Sequence, residues 1–133
     1  MKRILALDLG GKRIGVAVTD PTQTIAQVLD PWPADKLLSN LQFYLSREPC
    51  EKILVGLPVS MDGKEHAQAE RIRRAAALLN EQLEIPIEFC DERLTSVQAG
   101  NMLKGMGVKN LKGKKDSLAA SLLLEAYLQK NNK

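Results

Sequence analysis

The chain has 133 residues, 44% of them hydrophobic, and 19 Lys and Arg against 16 Asp and Glu leave a net charge of +3. That length fits one domain, residues 1–133, able to bury about two-thirds of its unfolded surface without staples, and no run approaches the roughly 18 apolar residues of a membrane span. Aromatic residues are only 4%, which argues against a module that grips single strands by stacking bases on aromatic platforms, while the mild positive charge points weakly to an anionic partner.

Residues 3–9, RILALDL, form a short apolar run ending at Gly10-Gly11 and predict a buried strand with a tight turn. Residues 13–20, RIGVAVTD, are rich in β-branched side chains and predict a second strand in a hairpin with the first. Asp20-Pro21 breaks it, and a third, shorter strand is expected over Ile25–Leu29, before the punctuation of Pro31-Trp32-Pro33. Residues 34–47 switch to helical spacing, with Leu37, Leu41, Tyr44 and Leu45 on one side. ILVGL, residues 53–57, predicts a strand buried on both faces, as parallel strands are.

Asp62 and Glu65 have capping-box spacing, and the helix they open carries Ile72, Ala75, Ala76, Leu79 and Leu83 on its core face. IPIEFC, residues 85–90, predicts the last strand and runs into Asp91-Glu92-Arg93. Thr95 or Ser96 can cap a helix through about Leu103, a Gly- and Lys-rich loop spans Lys104–Lys115, and a final helix over about 116–130 is expected to bury Ala119, Leu122, Leu123 and Ala126. The order βββαβαβαα describes an α/β fold with an antiparallel opening meander and later strands returning through helices.

Asp8 is the most informative residue. Its strand neighbours are apolar, and an unpaired carboxylate among them costs several kcal/mol, so it needs a compensator. Turn N–H groups at Gly10 or Gly11 are one; a metal ion at a strand end that opens onto glycines, where a phosphate can approach, is the favoured one. Asp91 and Glu92 end another strand, where adjacent side chains point to opposite faces, so one of them shares a face with Asp8. Glu92 is the choice; Asp91 is expected to pair with Arg93 or cap the following turn. Asp116 opens the last helix, where Asp also serves as an N-cap.

Three such carboxylates suit phosphodiester hydrolysis, in which two divalent ions about 3.5–4 Å apart stabilise the attacking and leaving oxygens, and their hard oxygens suit Mg2+ or Mn2+. Asp8, Glu92 and Asp116 are therefore the expected catalytic and metal-binding set. The single histidine, His66, reads as an exposed residue near a helix start and cannot build a zinc site alone. Lys12 and Arg13 follow Asp8, and Lys104, Lys109, Lys112, Lys114 and Lys115 are interleaved with Gly105, Gly107 and Gly113. Lys12, Arg13, Lys112, Lys114 and Lys115, with Arg93 and Thr95 beside Glu92, are the candidate contacts to a phosphate backbone; Ser96 shares the capping alternative with Thr95. Cys50 and Cys90 lack C-x-x-C spacing and read as buried or half-buried thiols of a reducing cytosol. The N-terminal run is too short for a signal peptide, so a cytoplasmic protein is expected.

Four segments together, ALDLGGKRIGVAVTD (6–20), VGLPVSMDGKEHAQA (55–69), DERLTS (91–96) and DSLAASLLLEAYL (116–128), resemble the YqgF family, also called the RuvX or pre-16S rRNA nuclease family. The resemblance covers nearly the whole chain. It implies a ribonuclease H-like domain related to the RuvC resolvase, a five-stranded mixed sheet in order 3-2-1-4-5 with strand 2 antiparallel, and processing of the 5′ end of the small-subunit rRNA precursor. By motif match its acids fall on Asp8, Glu92 and Asp116. His66 stands where the family usually has glycine, a departure expected to affect helix entry more than catalysis. Three readings compete with RNA processing: a Holliday junction resolvase, a non-catalytic RNA-binding assembly factor, and a phosphotransferase like the actin-like ATPases, which the single domain disfavours. A resolvase needs two sites and hence a symmetric dimer, but no long exposed apolar stripe demands one, and a monomer or weak homodimer is expected.

Overall fold

The computed structural model describes residues 2–9, 11–58, 66–92 and 117–131. Its elements run β1 (Arg3–Asp8), β2 (Arg13–Thr19), β3 (Ala26–Pro33), a 3-10 turn (Ala34–Lys36), α1 (Leu37–Arg47), β4 (Cys50–Leu57), α2 (Ala67–Leu83), β5 (Ile87–Asp91) and α3 (Leu118–Asn131). The strands form one sheet in the order β3-β2-β1-β4-β5. β2 is antiparallel to β1 and β3, while β4 is parallel to β1 and to β5. The 3-2-1-4-5 mixed sheet is therefore as expected. The helix expected over 95–103 and the capping box of Asp62 and Glu65 lie outside the described residues.

Strand alternation sorts the core into two layers. Leu5 and Leu7 of β1, Ile14, Val16 and Val18 of β2, and Ile53, Val55 and Leu57 of β4 face α1 and α2, where Leu41, Ala69, Ile72 and Leu79 meet them. Ile4, Ala6, Ala17 and Leu54 face the other way, onto Ala120, Leu123 and Leu124 of α3. β1 lies at the centre of the sheet and is covered on both sides, so its residues from Ile4 to Leu7 are fully buried. Each large apolar side chain so buried contributes roughly 1.5–3 kcal/mol.

Three details depart from the sequence reading. β3 does not stop at Leu29 but continues through Pro31-Trp32-Pro33. It is an edge strand, where a missing N–H costs least, and its pairing shifts by one residue between Val16↔Leu29 and Ile14↔Trp32, so that Asp30 and Pro31 bulge opposite Gly15. β4 starts at Cys50 and β5 at Ile87 rather than at 53 and 85; Pro86 has no N–H to give, though its carbonyl accepts from Ile53 N at 2.9 Å. In α3 the deepest residues are Ala120, Leu123 and Leu124, with Leu122 and Leu128 also buried, whereas Ala119 and Ala126 are only half-buried. Ser117 and Ser121 occupy buried positions in the same helix stripe, and these polar letters hide it from a hydrophobic pattern.

The β2–β3 turn is organised by Asp20, whose carboxylate accepts N–H bonds from Thr24 and Ile25 at 2.8 Å each and a hydroxyl bond from Thr22. The Thr22 hydroxyl first, then the N–H groups of Ile25 and Thr24, hold its carboxyl well below the usual range. α2 begins at Ala67 with exposed His66 as an N-cap that makes no side-chain capping bond. Cys50 is buried and Cys90 half-buried, both as free thiols, as expected. Among the described residues no helix is long and apolar enough to cross a membrane.

Candidate active site

Asp8 is the last residue of β1 and pairs with Gly15 across the hairpin. Leu5 and Leu7 face α1 and α2, so alternation turns Asp8 to the α3 side. On β5 the same count puts Cys90 on the α3 side, Asp91 opposite, and Glu92 back on the α3 side. The Glu92 backbone is held there by its N–H to Leu57 O at 3.0 Å, which carries the parallel ladder one step past Asp91. Asp8 and Glu92 meet: both are half-buried, and each carboxyl feels the other's charge.

The space they share is made by glycine. Gly56 pairs with Cys90 and so lies on the same face. A Cβ built on Gly56 would lie 2.7 Å from Glu92 Oε1, 2.9 Å from Glu92 Cγ and 2.9 Å from Leu123 Cδ1. Glu92 therefore lies flat over β4, pinned between a bare strand backbone and α3. Neither Gly56 nor this close approach stands out in ILVGL, where a glycine reads as a weak point in a strand; the signal that finds it is a strand glycine on the face of a candidate acid, paired two residues before it. We expect Gly56→Ala to lower stability by about 1–3 kcal/mol through overpacking and to displace Glu92, with cleavage falling at least about tenfold. Thermal melts alongside cleavage rates check this, since a glycine with free space around it gains about 0.4–1 kcal/mol on the same change.

The electrostatics of the pair are those of two acids in one site. Burial, then the Asp8 charge, then the hydrogen bond to Asp8 and the Asp91 charge push the Glu92 carboxyl above its ordinary value. Two carboxylates that share a site resist ionising together, and a cation between them relieves that repulsion. The hard oxygens of Asp8 and Glu92 fit Mg2+ or Mn2+ in that place. Among the described residues no group of three or more His, Cys, Asp and Glu side chains forms a metal site, so this pair is the described part of the predicted set.

Asp116, Arg93, Thr95, Ser96, Lys112, Lys114 and Lys115 lie outside the described residues. Ser117, next to Asp116, is described and was not singled out from the sequence. Its buried Oγ accepts the Val16 N–H at 2.9 Å, opposite the β3 bulge. Val16 adjoins Gly15, the partner of Asp8, so the start of α3 is fastened at the Asp8 end of the sheet. Lys12 and Arg13 are exposed on the β1–β2 turn and the start of β2. They line a groove with Asp30, Pro31 and Pro33, and the turn is tied to β3 by Ala34 N donating to Lys12 O at 2.8 Å.

Residues 2–130 match the model of the family described as RuvX, Holliday junction resolvase. A Chloroflexus aurantiacus protein named "Putative pre-16S rRNA nuclease" is 39% identical over 130 residues, covering 94% of this chain and 85% of its own. Proteins of the same name from Phocaeicola vulgatus and Caldanaerobacter subterraneus subsp. tengcongensis are 40% and 38% identical, each covering at least 96% of both chains. In structure the chain is similar to Thermus thermophilus RuvC in complex with its Holliday junction substrate, with a TM-score of 0.60 and 14% identity over 97% of both chains. At that identity the similarity establishes the ribonuclease H-like fold.

Proposed function

Because the chain belongs to the RuvX family, a family of nucleases, we propose that it is a divalent-metal-dependent endonuclease that acts on the 5′ end of the pre-16S rRNA. The observation that carries the chemistry is the Asp8–Glu92 pair, two half-buried acids drawn together over a glycine floor. In the metal-free protein this arrangement is electrostatically unfavourable, and unfavourable like-charge pairs are a mark of functional sites. The names of the full-length relatives favour ribosomal RNA as the substrate.

In this reading Asp8 and Glu92 hold Mg2+ or Mn2+, with Asp116 as the third acid; the fastening of Ser117 beside the Asp8 end of β2 supports including it. Bound there, the metal supplies charge stabilisation for the attacking and leaving oxygens at phosphorus. Asp8, at the centre of the sheet, fixes the position of the reacting phosphate; Glu92, held flat by Gly56 and Leu123, fixes the second side of the site. Lys12 and Arg13 take neighbouring phosphates, and Arg93, Thr95, Lys112, Lys114 and Lys115 complete the substrate contacts. Asp91 faces the opposite layer and takes no part in the reaction. The protein works in the cytoplasm, as one domain over residues 1–133 and as a monomer or weak homodimer.

A second reading, resolution of four-way DNA junctions, rests on the family's description and on the RuvC-like fold. One panel separates the two: a ribosomal RNA precursor and a four-way DNA junction, each with Mn2+. The precursor is expected to be cut near its 5′ end at least about tenfold faster than the junction. Faster cutting of the junction, in symmetric pairs of nicks, gives the second reading. Tight, salt-sensitive RNA binding with no cleavage at any metal concentration would replace both with a non-catalytic assembly factor.

A further inference from the structure

Helix α2 carries three arginines within about a turn, and they are used differently. Arg73 lays its guanidinium over the Phe89 ring, 4.8 Å from the centroid. Arg74 pairs with Glu70 at 2.9 Å, one turn along the same helix. Arg71 is exposed and makes no hydrogen bond or ion pair among the described residues. It instead walls a cavity of about 270 Å³ with Gln68, Ile72 and Ala75 of α2, facing Leu9 and Gly11 of the β1–β2 hairpin.

Three features of that cavity point to an anion. Leu9 immediately follows Asp8 and packs toward the α1 and α2 layer, so the cavity opens one residue from the acidic pair and on the other side of the hairpin tip. Of its described polar walls, Arg71 only donates and the Gln68 amide can turn its NH2 inward, and no described carboxylate lines it. At Gly11 a Cβ would meet no described atom within 4 Å, so this residue puts no side chain of its own between Arg71 and Lys12. Past the tip lies Lys12, likewise exposed and without an ion pair among the described residues, on the groove it shares with Arg13. An exposed arginine on a helix is ordinarily solvated, and its charge is worth little. A planar fork facing a cavity beside a phosphodiester-cleaving site is placed to take a phosphate through two parallel N–H bonds.

We propose that Arg71 and Gln68 form a backbone-phosphate subsite for the nucleic-acid strand next to the scissile bond, and that the strand crosses the hairpin tip at Gly11 from Arg71 to Lys12. The subsite rests on the nuclease reading for its ligand class, but it is a claim about binding. It reads phosphate rather than base, so it serves RNA and DNA strands alike.

The test measures affinity without cleavage. A fluorescent RNA oligonucleotide from the 5′ end of the rRNA precursor and a labelled four-way DNA junction are titrated in EDTA at several salt concentrations against wild type, Arg71→Gln, Arg71→Lys and Arg74→Gln. Thermal melts accompany each variant; all three changes are at exposed positions. Arg71→Gln is expected to weaken binding about tenfold and lower the salt slope by about 1, Arg71→Lys to fall between, and Arg74→Gln to stay within about twofold of wild type. Equal behaviour of Arg71→Gln and Arg74→Gln, or no binding of either probe by wild type, overturns the subsite. Cleavage by wild type together with equal behaviour of the two variants keeps the nuclease and removes the subsite; loss of binding in Arg71→Gln without cleavage by wild type does the reverse.

Discussion

Asp8→Asn is expected to reduce metal-dependent cleavage at least about a thousandfold, because a metal's transition-state stabilisation amounts to several kcal/mol and each 1.4 kcal/mol is tenfold in rate. The same change is expected to raise the melting temperature of the metal-free protein by roughly 2–5 °C, the range for about 1 kcal/mol in a chain of this size. The two effects have one cause. Asp8 sits at the end of a fully buried central strand, against a second acid on the same face. Asparagine keeps the shape and removes the repulsion, so the fold gains what the site loses, as at other functional sites that are held at a cost to stability. A variant that loses activity and stability together would assign Asp8 to the framework, as an acceptor for turn N–H groups.

Glu92→Gln and Asp91→Asn, one residue apart, are expected to differ by at least about a hundredfold in cleavage, since the charge stabilisation a bound metal supplies amounts to several kcal/mol and each 1.4 kcal/mol is tenfold in rate. Glu92→Gln falls to that extent; Asp91→Asn stays within about threefold of wild type, because its side chain points into the other layer. The pH dependence of stability separates them further. The Glu92 carboxyl is raised in the folded protein, so the stability that its proton confers is fully present below the ordinary glutamate value and is lost as pH rises through the raised value. In EDTA the wild type should therefore lose stability over that interval, and Glu92→Gln should not. Added Mn2+ should flatten the wild-type curve at its upper end. Melting curves in EDTA from pH 4 to pH 8 read this directly; a wild-type profile superimposable on that of Glu92→Gln would mean that the two acids do not interact in solution.

The order of elements and the position of Asp8 were legible because they rest on short-range rules. An apolar run with one acid, then two glycines, marks a strand end that must justify a charge. Alternation allowed only one of Asp91 and Glu92 onto the Asp8 face, and the structure brings Glu92 there. What stayed hidden depends on position in the sheet. Pro31 and Pro33 read as the end of a strand, but β3 is at the edge and bulged there, so the missing N–H groups are tolerated. Gly56 is an ordinary letter in a buried strand until β5 brings Glu92 across it. Ser117 and Ser121 look like surface positions of a helix, yet both are buried, and the Ser117 Oγ accepts the Val16 N–H beside the β3 bulge. Asp116, which rests most on the motif match, and the lysine-rich segment, read from its charge and its glycines, lie outside the described residues.

In the proposed mechanism Asp8 and Glu92 hold a catalytic divalent ion. Calorimetric titration of the metal-free protein with Mn2+, run in parallel with cleavage of the rRNA precursor at each Mn2+ concentration, tests it most directly. Wild type is expected to bind Mn2+ and to gain cleavage over the same concentration range, with both lost in Asp8→Asn. Cleavage that persists in EDTA, or Mn2+ binding by Asp8→Asn with wild-type affinity, would contradict it.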